Sequence, residues 1–65
     1  MDYFVNNSLK ILRKITGANV DIVEVMDNIL EIQVNGICVS SCYKFETDWL
    51  RAFLDGMICA SQNNL

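Results

Sequence analysis

Along the first sixteen residues, apolar side chains recur at helical spacing. Phe4, Val5, Leu9, Ile11, Leu12 and Ile15 fall in one arc of a helical wheel, with Ser8 and Thr16 between them. Asp2, Tyr3, Asn6, Asn7, Lys10, Arg13 and Lys14 fill the opposite arc. The pattern predicts an amphipathic helix over about residues 2–16. Gly17 can adopt the left-handed conformation that closes it, and Arg13 and Lys14 suit the negative end of its dipole.

The period then changes to two. Leu30-Glu31-Ile32-Gln33-Val34 and Ile37-Cys38-Val39 flank Asn35-Gly36, a pair that supplies the two positive φ values of a type I′ hairpin turn. Taken literally, that turn pairs Val34 with Ile37, Ile32 with Val39 and Leu30 with Ser41 on one face. The other face then pairs Gln33 with Cys38, Glu31 with Ser40, Ile29 with Cys42 and Asp27 with Lys44. A preceding strand joins through Asp27-Asn28, and two registers compete for it. A two-residue loop turns Val23 and Val25 to the core but sets Glu24 opposite Glu31, a like-charge pair. A three-residue loop turns Val20, Ile22 and Met26 inward together with Glu24. A one-residue slip exchanges every side chain between faces, so both registers stay open. Apolar residues on both faces predict a strand that is central or half-buried on each side.

A second helical arc holds Trp49, Leu50, Phe53, Leu54, Met57, Ile58 and Ala60, opposite Arg51, Asp55, Cys59 and Gln62. Thr47 is the expected N-cap, with Asp48 at the positive end of the dipole. Gly56 is expected either to end the helix or to admit a close neighbour. The fold class is therefore α+β, a single domain over residues 1–65. A helix (about 2–16), a three-stranded antiparallel meander (about 19–26, 29–34 and 37–45), a second helix (about 48–60) and a tail (61–65) follow in that order. Both helices are expected on one face of the sheet.

Composition narrows what such a domain can do. The chain is 52% hydrophobic without proline, which argues for a folded core rather than disorder. At 65 residues only about 60% of the unfolded surface is buried, leaving little room for a walled pocket. Eight acids against five bases give a net charge of −3 with no histidine, too little clustered positive charge for a phosphate backbone. No apolar run reaches membrane-spanning length, and the first residues lack the order of a secretory leader. With three cysteines, an odd number, reduced thiols in a cytoplasmic compartment fit best, the host cytoplasm if the chain is phage-encoded.

None of the candidate chemistry is complete. Cys38 and Cys42, on one strand, would lie about 13 Å apart, beyond the roughly 7 Å that a disulfide spans. With Cys59 they offer three thiolates and no imidazole, short of a zinc set. No histidine is present to activate a thiol. Glu24 with Glu31, or Glu46 with Asp48, could pair only in a cleft able to separate two pKa values. The three glycines are too dispersed for a phosphate loop. Catalytic, cofactor and metal residues are accordingly expected to be none.

In element order the chain resembles double-stranded-RNA-binding domains. That resemblance implies a lysine cluster at the start of the second helix, gripping phosphates across a duplex. The matching stretch here is Phe45-Glu46-Thr47-Asp48-Trp49, which is acidic and would repel them. Nucleic acid is disfavoured as a partner. A third reading is nucleic-acid binding through the basic patch of Lys10, Arg13 and Lys14 on the first helix.

Contact with another protein is the leading expectation. With both helices on one face, the other would show Glu31, Gln33, Cys38, Ser40, Cys42 and part of the first strand. The mean hydropathy of +0.26 is high for so small an interior, and aromatic residues are enriched at interfaces. The chain reads as a small non-enzymatic module, an inhibitor or adaptor that occupies a partner's surface, with phage or mobile-element anti-defence proteins as one such group. A homodimeric structural module is the alternative. Tyr3, Lys10, Arg13, Lys14, Glu31, Gln33 and Trp49 are the candidate contact residues.

Overall fold

The computed structural model describes residues 3–63. Helix α1 (Tyr3–Thr16) leads into strands β1 (Val20–Met26), β2 (Ile29–Val34) and β3 (Ile37–Tyr43), and helix α2 (Thr47–Asn63) follows. The strands form one antiparallel sheet in the order β1-β2-β3. The α-β-β-β-α order and the meander agree with the sequence pattern. Position 2 and the last two tail positions, 64 and 65, lie outside the described residues; the rest of the expected tail is the end of α2. β1 is an edge strand rather than a central one, because in the order β1-β2-β3 it pairs with β2 alone.

The core gathers Val5, Leu9 and Leu12 from α1, Leu50 and Leu54 from α2, and Val20, Leu30, Ile32 and Cys42 from the sheet. Both helices therefore lie over the same sheet face. Burying each large aliphatic side chain contributes about 1.5–3 kcal/mol, and Leu12, Ile32 and Leu54 are completely enclosed. α1 ends as its sequence foretells. Gly17 sits at φ 71° and its N–H donates to the Arg13 carbonyl at 2.9 Å, the single bond of a left-handed cap. α2 departs from expectation at both ends. Glu46 provides the first carbonyl, accepting from Leu50 N–H at 3.0 Å, so Thr47 is the first helical residue rather than the cap. Gly56 neither ends the helix nor faces a close neighbour, since a Cβ there would meet nothing within 4 Å.

Each edge strand carries one extra residue relative to β2, and these two bulges set which side chains the helices cover. At Asn35-Gly36 both φ values are positive, 53° and 82°, and the expected pairs Val34–Ile37 and Gln33–Cys38 form. The register then slips at Val39, so Ile32 meets Ser40, Glu31 meets Ser41, Leu30 meets Cys42 and Ile29 meets Tyr43. The uniform register expected for this hairpin is thus wrong beyond its first two pairs. Ser40 and Cys42 turn beneath the helices, and Tyr43 turns out. In β1 the extra residue is Val25: Glu24 pairs with Leu30 but Met26 with Ile29. The connection is the two residues Asp27 and Asn28, while the body of the strand takes the register expected of a longer loop. Val20 and Ile22 face the core. The opposite parity would have turned Asp21 inward; in the observed one Glu24 takes the helix side, where it stays 44% exposed and paired with Lys44, so no carboxylate is buried without a partner.

Candidate functional site

The pairings lay the sheet out as three cross-strand rows on each face. On the helix side the rows are Val20–Val34–Ile37, in which Ile37 is 69% exposed, Ile22–Ile32–Ser40 and Glu24–Leu30–Cys42. On the open face they are Asp21–Gln33–Cys38, Val23–Glu31–Ser41 and Met26–Ile29–Tyr43. The open face therefore grades from polar at the Asn35-Gly36 end to wholly apolar at the Asp27-Asn28 end. Met26 is 71% and Tyr43 52% exposed, and Phe45, 76% exposed, continues the patch beyond β3. The Tyr43 and Phe45 rings stack at 5.4 Å with 5° between their planes. The stack is held from below, because Glu46 closes the turn: its N–H donates to the Tyr43 carbonyl and its Oε1 accepts from Tyr43 N–H, both at 2.9 Å. Val23 and the bulged Val25, both exposed, extend the patch along β1.

A shallow depression of about 230 Å³ adjoins this patch, lined by Ile29, Ser41, Cys42, Tyr43 and Glu46. The charge nearby is acidic. Glu31 lies one row away, accepting from Gln33 Nε2 at 3.1 Å, Asp27 is in the turn, and Glu46 borders the depression.

The expected contact residues do not share a surface. Glu31 and Gln33 are together on the open face, half-buried and bonded to each other. Tyr3, 83% exposed, Lys10 and Lys14 lie on α1, and Trp49 lies on α2, stacked on Phe53 at 5.2 Å. The basic patch is smaller than its sequence implies. Arg13 donates from Nε to the Val20 carbonyl at 2.9 Å and from Nη2 to Asp21 at 2.8 Å, which leaves two exposed lysines. Lys44, expected opposite Asp27, instead pairs with Glu24 at 3.3 Å and donates its N–H to the Asn28 carbonyl. Met26, Ile29, Tyr43 and Phe45 were not among the expected contact residues, although Ile29 was expected on this face. The available signal was the second apolar face of β1 together with two aromatics spaced around a strand end.

The thiols divide by face. Cys38 and Cys59 are exposed and Cys42 is buried, so Cys42 does not lie on the open face where the uniform register would set it. Burial, and then the Glu46 carboxylate, push the Cys42 thiol above its ordinary pKa, the wrong direction for a nucleophile. Among the described residues no group of three or more His, Cys, Asp or Glu side chains is placed to hold a metal ion, and no helix is long and apolar enough to cross a membrane. No protein-family model, curated protein or solved structure matches this chain.

Proposed function

We propose that this protein is a binding module without a reaction of its own, and that it docks on another protein through the apolar end of its open sheet face. The observation that carries this reading is the Met26–Ile29–Tyr43 row with Phe45 stacked beside it. These are large apolar groups, aligned across three strands and left uncovered by the chain's own helices. Singly exposed apolar residues need no explanation, but a contiguous set marks an interaction surface. The face rather than an edge is favoured as the contact. Arg13 occupies the Val20 carbonyl on the outer side of β1, and a bulge interrupts each edge strand, both of which discourage strand addition.

The fitting partner has an apolar centre and a basic rim. Glu31, Asp27 and Glu46 surround the patch, and the depression beside Tyr43 suits a lysine or arginine, with its stem on Ile29 and its head toward Glu46. Such a module would act as an inhibitor or adaptor by covering that surface.

The test compares two variants with the parent protein in capture from lysate. Met26→Glu with Tyr43→Lys should abolish recovery of the partner, and raising salt should slow its association. Tyr3→Ala with Trp49→Ala should leave recovery unchanged. Loss with the helix variant but not the sheet variant would refute the assignment. Concentration-dependent self-association that Met26→Glu removes would replace it with a homodimer.

A further inference from the structure

On the opposite side of the sheet from the docking face, the helices and strands leave a cleft of about 370 Å³. Val5, Ile22, Leu30 and Leu50 supply its apolar surfaces, and Glu24, Lys44 and Thr47 its polar ones. We propose that this cleft binds a free apolar α-amino acid, with the side chain among the four aliphatic residues, the ammonium on Glu24 and the carboxylate on Lys44 and the Thr47 hydroxyl.

Three features favour this ligand class. The volume is at the small end of the range for ligand sites, roughly 300–1,000 Å³, which fits a molecule of amino-acid size. The floor is built from core residues: Val5, Leu30 and Leu50 are each less than a tenth exposed, so an aliphatic group entering the cleft leaves water. The mouth presents one charge of each sign, Glu24 Oε1 and Lys44 Nζ, 3.3 Å apart. A fatty acid or an alkylamine would satisfy one of these and oppose the other, whereas a zwitterion complements both. The existing pair is no obstacle. Its side chains are 44% and 59% exposed, and an ion pair so open to solvent contributes little. An entering zwitterion exchanges that one contact for two, in a site it has partly dried.

The probe is L-leucine, titrated against the full chain while methyl NMR shifts are followed. Saturable shifts at Leu30, Leu50 and Ile22, with Ile29 and Met26 unmoved, are expected. Leucine should bind at least about tenfold more tightly, the 1.4 kcal/mol of one decade, than 4-methylpentanoate, 3-methylbutylamine, 3-methylbutanol or glycine. Glu24→Gln and Lys44→Gln should each weaken leucine by a similar factor, with circular dichroism confirming that both fold. Equal binding of the alcohol would reduce the cleft to an unselective apolar gap and overturn the proposal. Tighter binding of either singly charged analogue would overturn it in favour of that class, and absence of shifts at 10–20 mM leucine, roughly the weak limit of such sites, would overturn it outright. None of these outcomes touches the open face, so this inference and the docking function stand or fall separately.

Discussion

The two faces of the sheet differ less in the residues they carry than in what lies over them. Ile32 is completely enclosed, with Leu12 and Leu54, in a core that excludes water, and Ile22 packs partly buried against that core. Val23 and Ile29, on the same strands and of the same chemistry, are part of a face that the chain leaves uncovered. Two inserted valines decide which residues go where. Removing the slip at Val39 would bring Ser41 and Tyr43 beneath the helices and send Ser40, Cys42 and Lys44 outward. Apolar content alone therefore cannot separate core from contact surface in this chain; register does.

Truncation on each side of β2 tests that contrast most severely. Ile32→Ala removes a completely enclosed side chain and should cost about 2–5 kcal/mol, a large part of the stability of so small a domain. Ile29→Ala, on the open face, should cost less than about 1 kcal/mol. Urea denaturation followed by circular dichroism gives both values. Equal losses would mean that the open face is packed in solution, and the contrast between faces would fail.

The Val39 bulge has its own reporter in the thiols. Under native conditions Cys38 and Cys59 should react promptly with a thiol reagent, and Cys42 on the order of 100-fold more slowly, limited by opening of the fold. In the uniform register Cys38 and Cys42 would label together. The raised pKa of Cys42 also gives a sign for pH. The folded state holds that proton more tightly than the unfolded chain does. Its stabilising contribution is complete below the ordinary thiol pKa and is lost as pH rises through the elevated value. The urea midpoint should therefore fall on the alkaline side, and Cys42→Ala should flatten that fall.

Element order, the two helical arcs and the Asn35-Gly36 turn were all legible in the sequence, because each rests on a local signal: period 3.6, period 2, or two adjacent positive φ values. The bulges were not. Ile32 against Val39 is an acceptable apolar pair, so nothing in the alternation announces that Ser40 takes that place instead. The advantage lies in tertiary packing, with small Ser40 and Cys42 under the helices and Lys44 within reach of Glu24. The candidate surface suffered accordingly. Glu31 and Gln33 were placed on the open face because the regular part of β2 fixes them. Tyr43 was missed because its face depends on the slip, and Arg13 was counted as a free cation because its partners, Val20 and Asp21, belong to another element.

Gly36 bears on how firmly that register is anchored. It holds φ at 82° with open space around it, so Gly36→Ala introduces no clash and isolates the backbone term. The cost should be about 1–2 kcal/mol, read from the urea midpoint. A loss below about 0.5 kcal/mol, the scatter of ordinary surface changes, would show that the bulged pairing holds β3 without its turn. The contrast between faces would then owe nothing to this hairpin.

The smallest expected effect is the most informative about use. Met26 lies on the apolar row with most of its surface in water, so Met26→Gln removes little that folding buries and should shift stability by no more than about 0.5 kcal/mol in either direction. If the row is a docking surface, Met26→Gln should lower partner recovery while the urea midpoint stays where it was. A fall in the midpoint with recovery intact would assign Met26 to the fold. A midpoint that depends on protein concentration in the parent and not in Met26→Gln would make the missing partner a second copy of this chain.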